Sequence, residues 1–542
     1  MYQIARAMEI EVNRKSVVLS SHSSKKLETS TRMGTYQLVV VMAGSSSRFQ
    51  DAGYEKPKAL LLADGRVILE RIISKYPNAE SVLIIANESQ KLEVLSELER
   101  IDESAKIKLA VIPAHDNGPS FSVGEASQFI KERSKVIVTY CDVGVEVDET
   151  EIVKALDSYD AVCLAFRGFH PHILRNPTFG YLKCDPKDLI LDIREKRAFT
   201  DSPREEFTST GVYGFNSGAA LLAAIVEQKA SRLEVAGEFY LSLAVLALIQ
   251  SGKQVKILKI EKFASWGTPE DLEDFNYYCK IQREMAAKSK FSVTGSRRIL
   301  LAGGKSERIR GKANRSKQLL PISGNDDLLW CRGSGAIGED DDFVMFTSPS
   351  LFSEMSEENL LNKKMSEVGQ QTKSSLETAL LGLGKVDSWR NQAITFCATD
   401  NIVGFTENLE LDPETYDLKV WVANEYPIAD IDPTQFSWAS VSDSGRIEDI
   451  FIKHRPIAAD LTHPLVGNFS FRSLDLAESL IRETIERAQS LSRELHMEDV
   501  ALLAIEKGMR VKVLKCPLFL GVGTPEEFDL YEYLMDPNYQ NL

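Results

Sequence analysis

From Gln37 onwards, short apolar runs rich in β-branched residues alternate with amphipathic stretches. This alternation predicts an α/β fold, with a mostly parallel mixed sheet flanked by helices. The stretches 68–76 and 89–101 have helical spacing. The predicted strands are 38–42, 81–86, 108–113, 135–141 and 160–166. Ligands of such sheets bind at the carboxyl ends of the strands, so the loops after Val41 and Tyr140 are candidate sites.

The loop after Val41 reads AGSSSR, and a Pro-Lys pair with a second apolar run follows further on. Because their side chains are small, the backbone amides of Gly44, Ser45 and Ser46 can wrap a polyphosphate closely. Arg48 and Lys58 can add charge-assisted contacts to the same phosphates. The alternative is a tight strand–helix turn followed by a solvated arginine.

Asp142 ends the apolar strand in KVIVTYCDV. A carboxylate at this edge of the sheet suits Mg²⁺, which takes one or two protein carboxylates and completes its shell with phosphate oxygens and water. The alternative is an aspartate that caps the N-terminus of a helix.

Two later segments also carry candidate chemistry. Glu195 and Lys196 lie in a hairpin-rich stretch and could bind a sugar or polyol and its phosphate, although an exposed ion pair is the alternative. Near 267–269, Gly-Thr-Pro precedes an acidic helical turn, which predicts a helix with Thr268 at the N-cap and Pro269 at the first position.

Composition narrows the class of protein. With 542 residues and 43% hydrophobic residues, the chain can build two or three full cores. A net charge of -15 and a pI near 5.2 argue against nucleic acid or an anionic membrane surface as the main partner. Seven scattered cysteines without a CxxC pair indicate a reduced, cytoplasmic protein. No apolar run is long enough to span a bilayer, and residues 1–35 read as a flexible N-terminal extension.

The order of features repeats within the chain. LAGGKSERIRGK near residue 300 resembles the first loop, Lys317 matches Lys58, and Asp400 matches Asp142. Near each end the register is constant, because Glu238 and Gly267 recur as Glu494 and Gly523. We therefore predict a tandem duplication, with domains at 36–280 and 297–542 joined by a linker at 281–296.

Several ordered motifs carry a family resemblance. AGSSSRFQDAGYEKPKALL, CDV, IREK, GVYGFNSG, GEFYLS and FASWGTPEDL together resemble the sugar-phosphate nucleotidyltransferases, and most closely the capsule-associated members. The resemblance covers about 37–280 well and about 297–535 more loosely. It implies a Rossmann-like, GT-A-type fold in both domains. It also implies transfer of a nucleotidyl group from a nucleoside triphosphate to a phosphorylated sugar or polyol, with release of pyrophosphate, for surface polysaccharide synthesis.

The resemblance also assigns roles to residues of both copies. The implied nucleotide-binding residues are Ala43, Gly44, Ser45, Ser46, Gly118, Ala302, Gly303, Gly304 and Ser306. The implied catalytic cations, which neutralise the phosphates, are Arg48, Lys58, Arg308 and Lys317. The implied acceptor-binding residues are Glu195, Lys196, Gly211, Glu238, Lys453 and Glu494. Asp142 and Asp400 are the implied Mg²⁺ ligands.

The chain departs from the family pattern at a few positions. Ser46 replaces the usual second glycine of the loop, and Ser265 and Gly521 stand where many members carry a second metal-binding aspartate. In the second copy, Lys373 stands at the place of Gly118. Two alternatives stay open: one active domain with a degenerate regulatory or scaffolding copy, and a GT-A glycosyltransferase, although the CDVGVEVD segment lacks a DxD motif. Homo-oligomerisation, the base of the nucleotide and the acceptor are not decided by the sequence.

Overall fold

The chain divides into two compact units in the computed structural model. Unit 1 comprises Met1–Asn276 with Asn538–Leu542, and unit 2 comprises Tyr277–Pro537. The structure describes residues 8–11, 35–101, 106–175, 179–286, 292–304, 315–322, 328–331, 343–361, 364–456, 461–488, 494–536 and 539–542. Each unit is a mixed α/β structure with its own sheet and its own core.

The strands and helices of unit 1 alternate as the apolar pattern predicts. Its strands are β1 (Met8–Glu11), β2 (Tyr36–Val41), β3 (Leu62–Ala63), β4 (Arg66–Val67), β5 (Ser81–Asn87), β6 (Ile107–Ile112), β7 (Lys135–Tyr140), β8 (Val143–Val145), β9 (Ala161–Phe166), β10 (Gly180–Cys184), β11 (Ile190–Glu195), β12 (Phe207–Phe215), β13 (Val255–Lys259) and β14 (Phe263–Ser265). Its helices are α1 (Ser47–Asp51), α2 (Ile68–Ser74), α3 (Lys91–Leu98), α4 (Pro119–Glu125), α5 (Glu149–Ala155), α6 (Gly218–Ala230) and α7 (Leu241–Gln250), and α8 (Pro269–Ala286) starts in unit 1. All five strands predicted from the sequence are present, with their ends shifted by a residue or two.

The main sheet of unit 1 runs in the order β1-β6-β5-β2-β7-β12-β10-β11, and β9 pairs with β12 and β13. The pairs among β6, β5, β2 and β7 are parallel, as is β9 with β13. The pairs that β12 makes with β7, β9 and β10 are antiparallel. The sheet is therefore mixed, and the predicted parallel character is concentrated on the side that carries the loop after Val41.

Strand β2 is buried along its whole length, as expected for a central parallel strand covered on both faces. Within it, the Gln37 amide donates to the carbonyl of Phe129 and accepts the backbone N–H of Lys131. The loop that follows Val41 therefore starts from the end of a buried, hydrogen-bonded central strand.

Unit 2 begins within helix α8. Its strands are β15 (Val293–Thr294), β16 (Arg297–Ala302), β17 (Phe343–Thr347), β18 (Met365–Glu367), β19 (Ile394–Cys397), β20 (Asn401–Gly404), β21 (Leu409–Glu410), β22 (Leu418–Ala423), β23 (Trp438–Val441), β24 (Ile447–Phe451), β25 (Thr462–Phe471), β26 (Val511–Cys516) and β27 (Leu518–Gly521). Its helices are α9 (Pro349–Glu357), α10 (Ser375–Gly382), α11 (Pro427–Ile431), α12 (Leu474–Arg487), α13 (Met497–Glu506) and α14 (Pro525–Leu534).

The sheet of unit 2 runs β18-β17-β16-β19-β25-β22-β26, with β23 paired to β24 and β25. Its parallel pairs join β18, β17, β16 and β19, and also β22 and β26, whereas β25 is antiparallel to its neighbours. The order of parallel and antiparallel pairs therefore follows that of unit 1 from β6 to β13.

Two predicted segments differ from the structure. Within the N-terminal extension predicted to be flexible, Met8–Glu11 forms β1 and pairs antiparallel with β6. The predicted linker 281–296 starts inside α8, which continues to Ala286, and Val293–Thr294 pairs in parallel with Leu409–Glu410. Both differences arise because backbone pairing and helix packing are set by partners distant in sequence. Among the described helices, none has the length and apolar character required to cross a bilayer.

Candidate functional site

The loop after β2 is held from behind by polar side chains. Asn87 donates to the carbonyl of Ala43 at 3.0 Å, and Gln90 donates to the carbonyl of Gly44 at 2.9 Å. Asn87 and Gln90 are themselves locked together in a buried capping box. Ser46 adopts the left-handed conformation with φ 55°, and α1 starts at the next residue. The loop is thus a defined turn, in which neighbouring side chains hold carbonyl groups in place.

Lys58 and Asp142 meet at the carboxyl edge of the sheet. A 3₁₀ turn, Lys58–Leu60, presents the lysine, and its Nζ lies 2.6 Å from Oδ2 of Asp142. Burial opposes the charged form of the lysine, but the negative charge of Asp142 outweighs it and raises the pKa of Lys58. Lys58 is therefore a cation at neutral pH. Asp142 is followed by strand β8 rather than a helix, so the N-cap interpretation of this aspartate is wrong.

The loop and the Lys58–Asp142 pair face one cavity of about 500 Å³. The predicted residues that line it are Ala43, Gly44, Ser45, Ser46, Arg48, Lys58, Gly118, Asp142 and Glu238. Gly267 of the predicted Gly-Thr-Pro turn also lines it. Lining residues that the sequence analysis did not single out are Val41, Met42, Ser47, Phe49, His115, Asp116, Pro119, Ser122, Tyr140, Cys141 and Tyr240. The segment that contains the predicted Gly118 also carries the polar residues His115, Asp116 and Ser122. They could therefore have been predicted together with this glycine. Tyr140 gives no such signal, because it reads as one more apolar residue of a strand.

The side of the cavity near Glu238 contains a cluster of aromatic and charged groups. The Tyr240 hydroxyl donates to Glu238 at 2.7 Å. The ammonium of Lys196 lies 4.7 Å from the centre of the Tyr240 ring and 4.0 Å from Glu238. Glu195 accepts a hydrogen bond from Ser242, and burial raises the pKa of this carboxyl group. Lys196 is thus directed to the cavity residues Glu238 and Tyr240, whereas Glu195 is partly buried against α7.

Two glycines have conformations that a side chain would disturb. Gly118 has φ 88°, and a Cβ atom there would lie 2.7 Å from the backbone nitrogen of Phe239. Gly211 also has φ 88°, and a Cβ atom would lie 2.7 Å from the ring of Tyr140. Gly118 therefore allows the close approach of the segment that carries Glu238 and Tyr240. Gly211 supports the cavity indirectly, through the packing of Tyr140.

Unit 2 contains a similar pair of charges. Lys317 lies on a 3₁₀ turn and forms an ion pair with Asp400. Gln371 donates to the carbonyl of Gly303 at 3.0 Å, as Gln90 does to Gly44. Gly304 is exposed and Ala302 is buried at the end of β16. The predicted residues Ser306 and Arg308 lie outside the described residues.

The other residues predicted in unit 2 are placed as follows. Lys453 has φ 59°, close to the 60° of Lys196, and donates to the backbone carbonyl of Gln435. Gly467 has φ 89°, close to the value at Gly211. Glu494 is exposed. Lys373 has its backbone N–H bonded to Glu377 at the start of α10, so this segment is built differently from the one at Gly118.

Comparison with known families decides the class of the first unit. The family model for nucleotidyl transferases matches residues 38–277. The match is continuous over residues 38–277, so this part of the chain is similar to nucleotidyl transferases. The matched stretch contains every described residue that lines the cavity. The predicted enzyme class is therefore confirmed for this part of the chain.

The same part of the chain is also similar to individual proteins. The chain is 26% identical over 273 residues to the bifunctional protein GlmU of Methanococcus maripaludis strain C5, which corresponds to 48% of this chain and 59% of that protein. It is 26% identical over 268 residues to the same protein of strain C7, again 48% of this chain and 59% of the relative. The chain thus spans about three fifths of the length of these relatives. A nucleoside-diphosphate-sugar pyrophosphorylase structure from Vibrio cholerae RC9 aligns with 44% of this chain and 99% of its own, at 24% identity and a TM-score of 0.37.

Proposed function

We propose that the protein transfers a nucleotidyl group from a nucleoside triphosphate to the phosphate of a sugar or polyol, and releases pyrophosphate. The observation that carries the proposal is the Lys58–Asp142 pair at a 500 Å³ cavity that is bordered by the small-residue loop and Arg48. This combination suits a triphosphate, because it offers close backbone approach and fixed positive charge on one side of a single cavity.

The proposed reaction is an in-line displacement at the α-phosphorus. An oxygen of the acceptor phosphate forms the new bond to this phosphorus, and the bond to the oxygen bridging to the β-phosphorus breaks. Pyrophosphate leaves with the electron pair, so no covalent enzyme intermediate is required. The contribution of the protein is positioning and charge neutralisation, and Lys58 and Arg48 are the cations placed to supply it.

Asp142 fits the Mg²⁺ ion that this reaction class uses. Its carboxylate lines the cavity, where one or two protein oxygens suffice if phosphate oxygens and water complete the shell. Among the described residues, no three His, Cys, Asp or Glu side chains are grouped so that they could hold a metal ion. When bound, Mg²⁺ would neutralise phosphate charge and lower the barrier to displacement.

For the acceptor we propose a phosphorylated sugar or polyol that reaches Lys196, Glu238 and Tyr240. Lys196 can contact the acceptor phosphate, and Glu238 can accept hydrogen bonds from hydroxyl groups. The capsule-type motifs lead us to propose a cytoplasmic role in making precursors for surface polysaccharide.

We further propose that unit 2 is a second copy with its own acceptor. The strand order of the two sheets agrees from β6 to β13 in unit 1 and from β18 to β26 in unit 2. A lysine with positive φ recurs at Lys196 and Lys453, and such a conformation is uncommon for residues other than glycine. The ion pair Lys317–Asp400 recurs as well. The different segment at Lys373 supports a different ligand for this unit, and also leaves a degenerate regulatory copy as the second candidate.

The test is a pyrophosphate-release assay on the full chain. CTP, UTP, GTP, ATP and dTTP are each combined with a panel of sugar phosphates and polyol phosphates. For an active pair, Lys58→Ala should lower kcat at least about 100-fold, since one charged donor to the transferring group is lost. Lys56→Ala is the matched control, because Lys56 is exposed and does not line the cavity.

The second unit is tested in the same assay. Pyrophosphate release that survives Lys58→Ala and disappears in the double variant with Lys317→Ala would come from unit 2. No release beyond that of unit 1 would favour the degenerate copy. Turnover of a nucleoside-diphosphate sugar, with no pyrophosphate from any triphosphate, would instead identify a glycosyltransferase and refute the proposed reaction.

A further inference from the structure

We propose that His172 and Asp271 are positioning residues for the reaction of unit 1. The hydrogen bond between them would hold the turn at Gly267 against the strand end that carries Asp142. The inference rests on the proposed function, and it adds two residues that lie outside the cavity lining.

The carboxylate of Asp271 connects two parts of the chain. Nδ1 of His172, on the 3₁₀ turn Pro171–Leu174, lies 2.6 Å from Oδ1 of Asp271. The other oxygen, Oδ2, accepts the backbone N–H of Thr268 at 3.1 Å, and the Thr268 hydroxyl accepts the N–H of Asp271 at 3.1 Å. The side chains of His172 and Asp271 are 12% and 3% exposed. A carboxylate this deeply buried needs its partners, so losing His172 should loosen the turn.

The turn is joined directly to the backbone around Asp142. The N–H of Trp266 donates to the carbonyl of Asp142 at 2.7 Å, and Ser265 of β14 pairs with Val143 of β8. Gly267 lines the cavity, and a Cβ atom on it would lie 3.6 Å from Oδ2 of Asp142. A shift of the turn would therefore move the immediate surroundings of Asp142.

An ion pair between the same two segments provides a matched control for the His172–Asp271 contact. Arg175 contacts both carboxylate oxygens of Asp274, at 2.5 and 2.9 Å. Each partner lies three residues after its counterpart in the first pair, so this pair joins the same two segments. Neither residue is among those that line the cavity. The two pairs thus join the same two segments, and the carboxylate of the His172–Asp271 pair also accepts the backbone N–H of Thr268 in the turn.

In unit 2, different side chains hold the corresponding turn. The Tyr426 hydroxyl donates to Oε1 of Glu527 at 2.6 Å. Oε2 of Glu527 accepts the backbone N–H groups of Gly523 and Thr524 at 2.9 and 3.0 Å. Gly523 is the counterpart of Gly267 and approaches Asp400 in the same way. In both units, therefore, a buried acid bonds the turn and is itself held by a side chain distant in sequence.

The experiment compares three variants of the full chain: His172→Ala, His172→Asn and Arg175→Ala. We expect His172→Ala to lower kcat about 10-fold to 100-fold, since a misplacement of about 1 Å at the reacting centre has effects of this size. His172→Asn should recover most of kcat, because its amide can donate to Asp271 from the place of Nδ1. Arg175→Ala should lower the melting temperature by a similar amount and leave kcat unchanged. Amide hydrogen exchange in the peptide 263–272 should accelerate only in His172→Ala.

The outcomes separate this inference from the proposed function. Equal kcat for His172→Ala and Arg175→Ala, or unchanged exchange at 263–272, would overturn the positioning role while the nucleotidyltransferase assay of the wild type still succeeds. A loss of kcat in His172→Asn as large as in His172→Ala would also overturn it. Absence of pyrophosphate release by the wild type would refute the proposed function itself, and the positioning role with it.

Discussion

Replacing Gly118 with alanine tests how the cavity wall is built. At φ 88° and ψ 171° this residue occupies a region essentially reserved for glycine, so an alanine costs about 1–3 kcal/mol in backbone strain. The new Cβ atom would also lie 2.7 Å from the nitrogen and 2.8 Å from the oxygen of Phe239. These are backbone atoms, so no change of side-chain rotamer relieves the contact, and overpacking of this kind adds about 1–3 kcal/mol.

Two backbone hydrogen bonds of Phe239 make it costly for this residue to move away from the new Cβ atom. Its N–H donates to the carbonyl of Asn117 at 2.8 Å, and its carbonyl accepts the N–H of Ser120 at 2.9 Å. Glu238 and Tyr240 flank Phe239 and line the cavity. We therefore expect Gly118→Ala to destabilise the protein by about 2–6 kcal/mol, and to raise KM for the nucleotide or the acceptor in the folded fraction.

Gly252→Ala is the matched control, measured with Gly118→Ala by urea unfolding of the full chain. Gly252 has φ 81° but no atom within 4 Å of the position of its Cβ, so it reports backbone strain alone. Gly118→Ala should lose about 1–3 kcal/mol more unfolding free energy than Gly252→Ala, and this difference is the part expected from the collision with Phe239. Equal losses at the two glycines, with KM unchanged for Gly118→Ala, would refute this account of the wall.

The remaining predictions concern protonation and metal. His170 is buried with both ring nitrogens unbonded among the described residues, and burial, with the nearby charges of His172 and Arg204, holds its pKa well below the ordinary value. The unfolded chain therefore binds a proton that the folded protein does not, so stability present above about pH 6.5 is lost as the pH falls below it. Between pH 6.5 and 5.5, the free energy of unfolding measured in urea should fall by about 1 kcal/mol more for the wild type than for His170→Phe. Parallel pH profiles of the two proteins would contradict this. Separately, Asp142→Asn should raise the Mg²⁺ concentration needed for half-maximal pyrophosphate release, and Glu146→Gln, an exposed change nearby, should not. An unchanged Mg²⁺ requirement in Asp142→Asn would remove this aspartate from the metal site.

Local signals in the chain were sufficient for the strands and for the first loop. The β-branched runs at 81–86 and 135–141 are strands because their side chains pack on both faces of a parallel sheet, and this requirement is visible in composition alone. Thr268 caps α8 as predicted, since a capping box depends only on residues three positions apart. Lys58 and Asp142 were each predicted at the same edge, and the structure adds their contact.

The sequence did not predict the contacts that residues make with partners distant along the chain. The pairing of His172 with Asp271 joins positions 99 residues apart, and nothing in either neighbourhood indicates the other. Glu195 is predicted to bind the acceptor together with Lys196, with an exposed ion pair as the alternative, but it is partly buried and bonded to Ser242. Met8–Glu11 has no strong strand pattern of its own, and it is ordered by the edge of β6.

The sequence by itself determined the α/β class, the strand positions, the small-residue loop after Val41 and the charged residues of the candidate site. These follow from periodicity, turn chemistry and strand polarity, which are local properties of the chain. Only the tertiary structure decided that Lys58 pairs with Asp142, that Tyr140 and Tyr240 line the cavity, and that Asp271 is held by His172. Those contacts depend on how the sheet brings distant segments to one edge, and burial there sets which charged groups face each other.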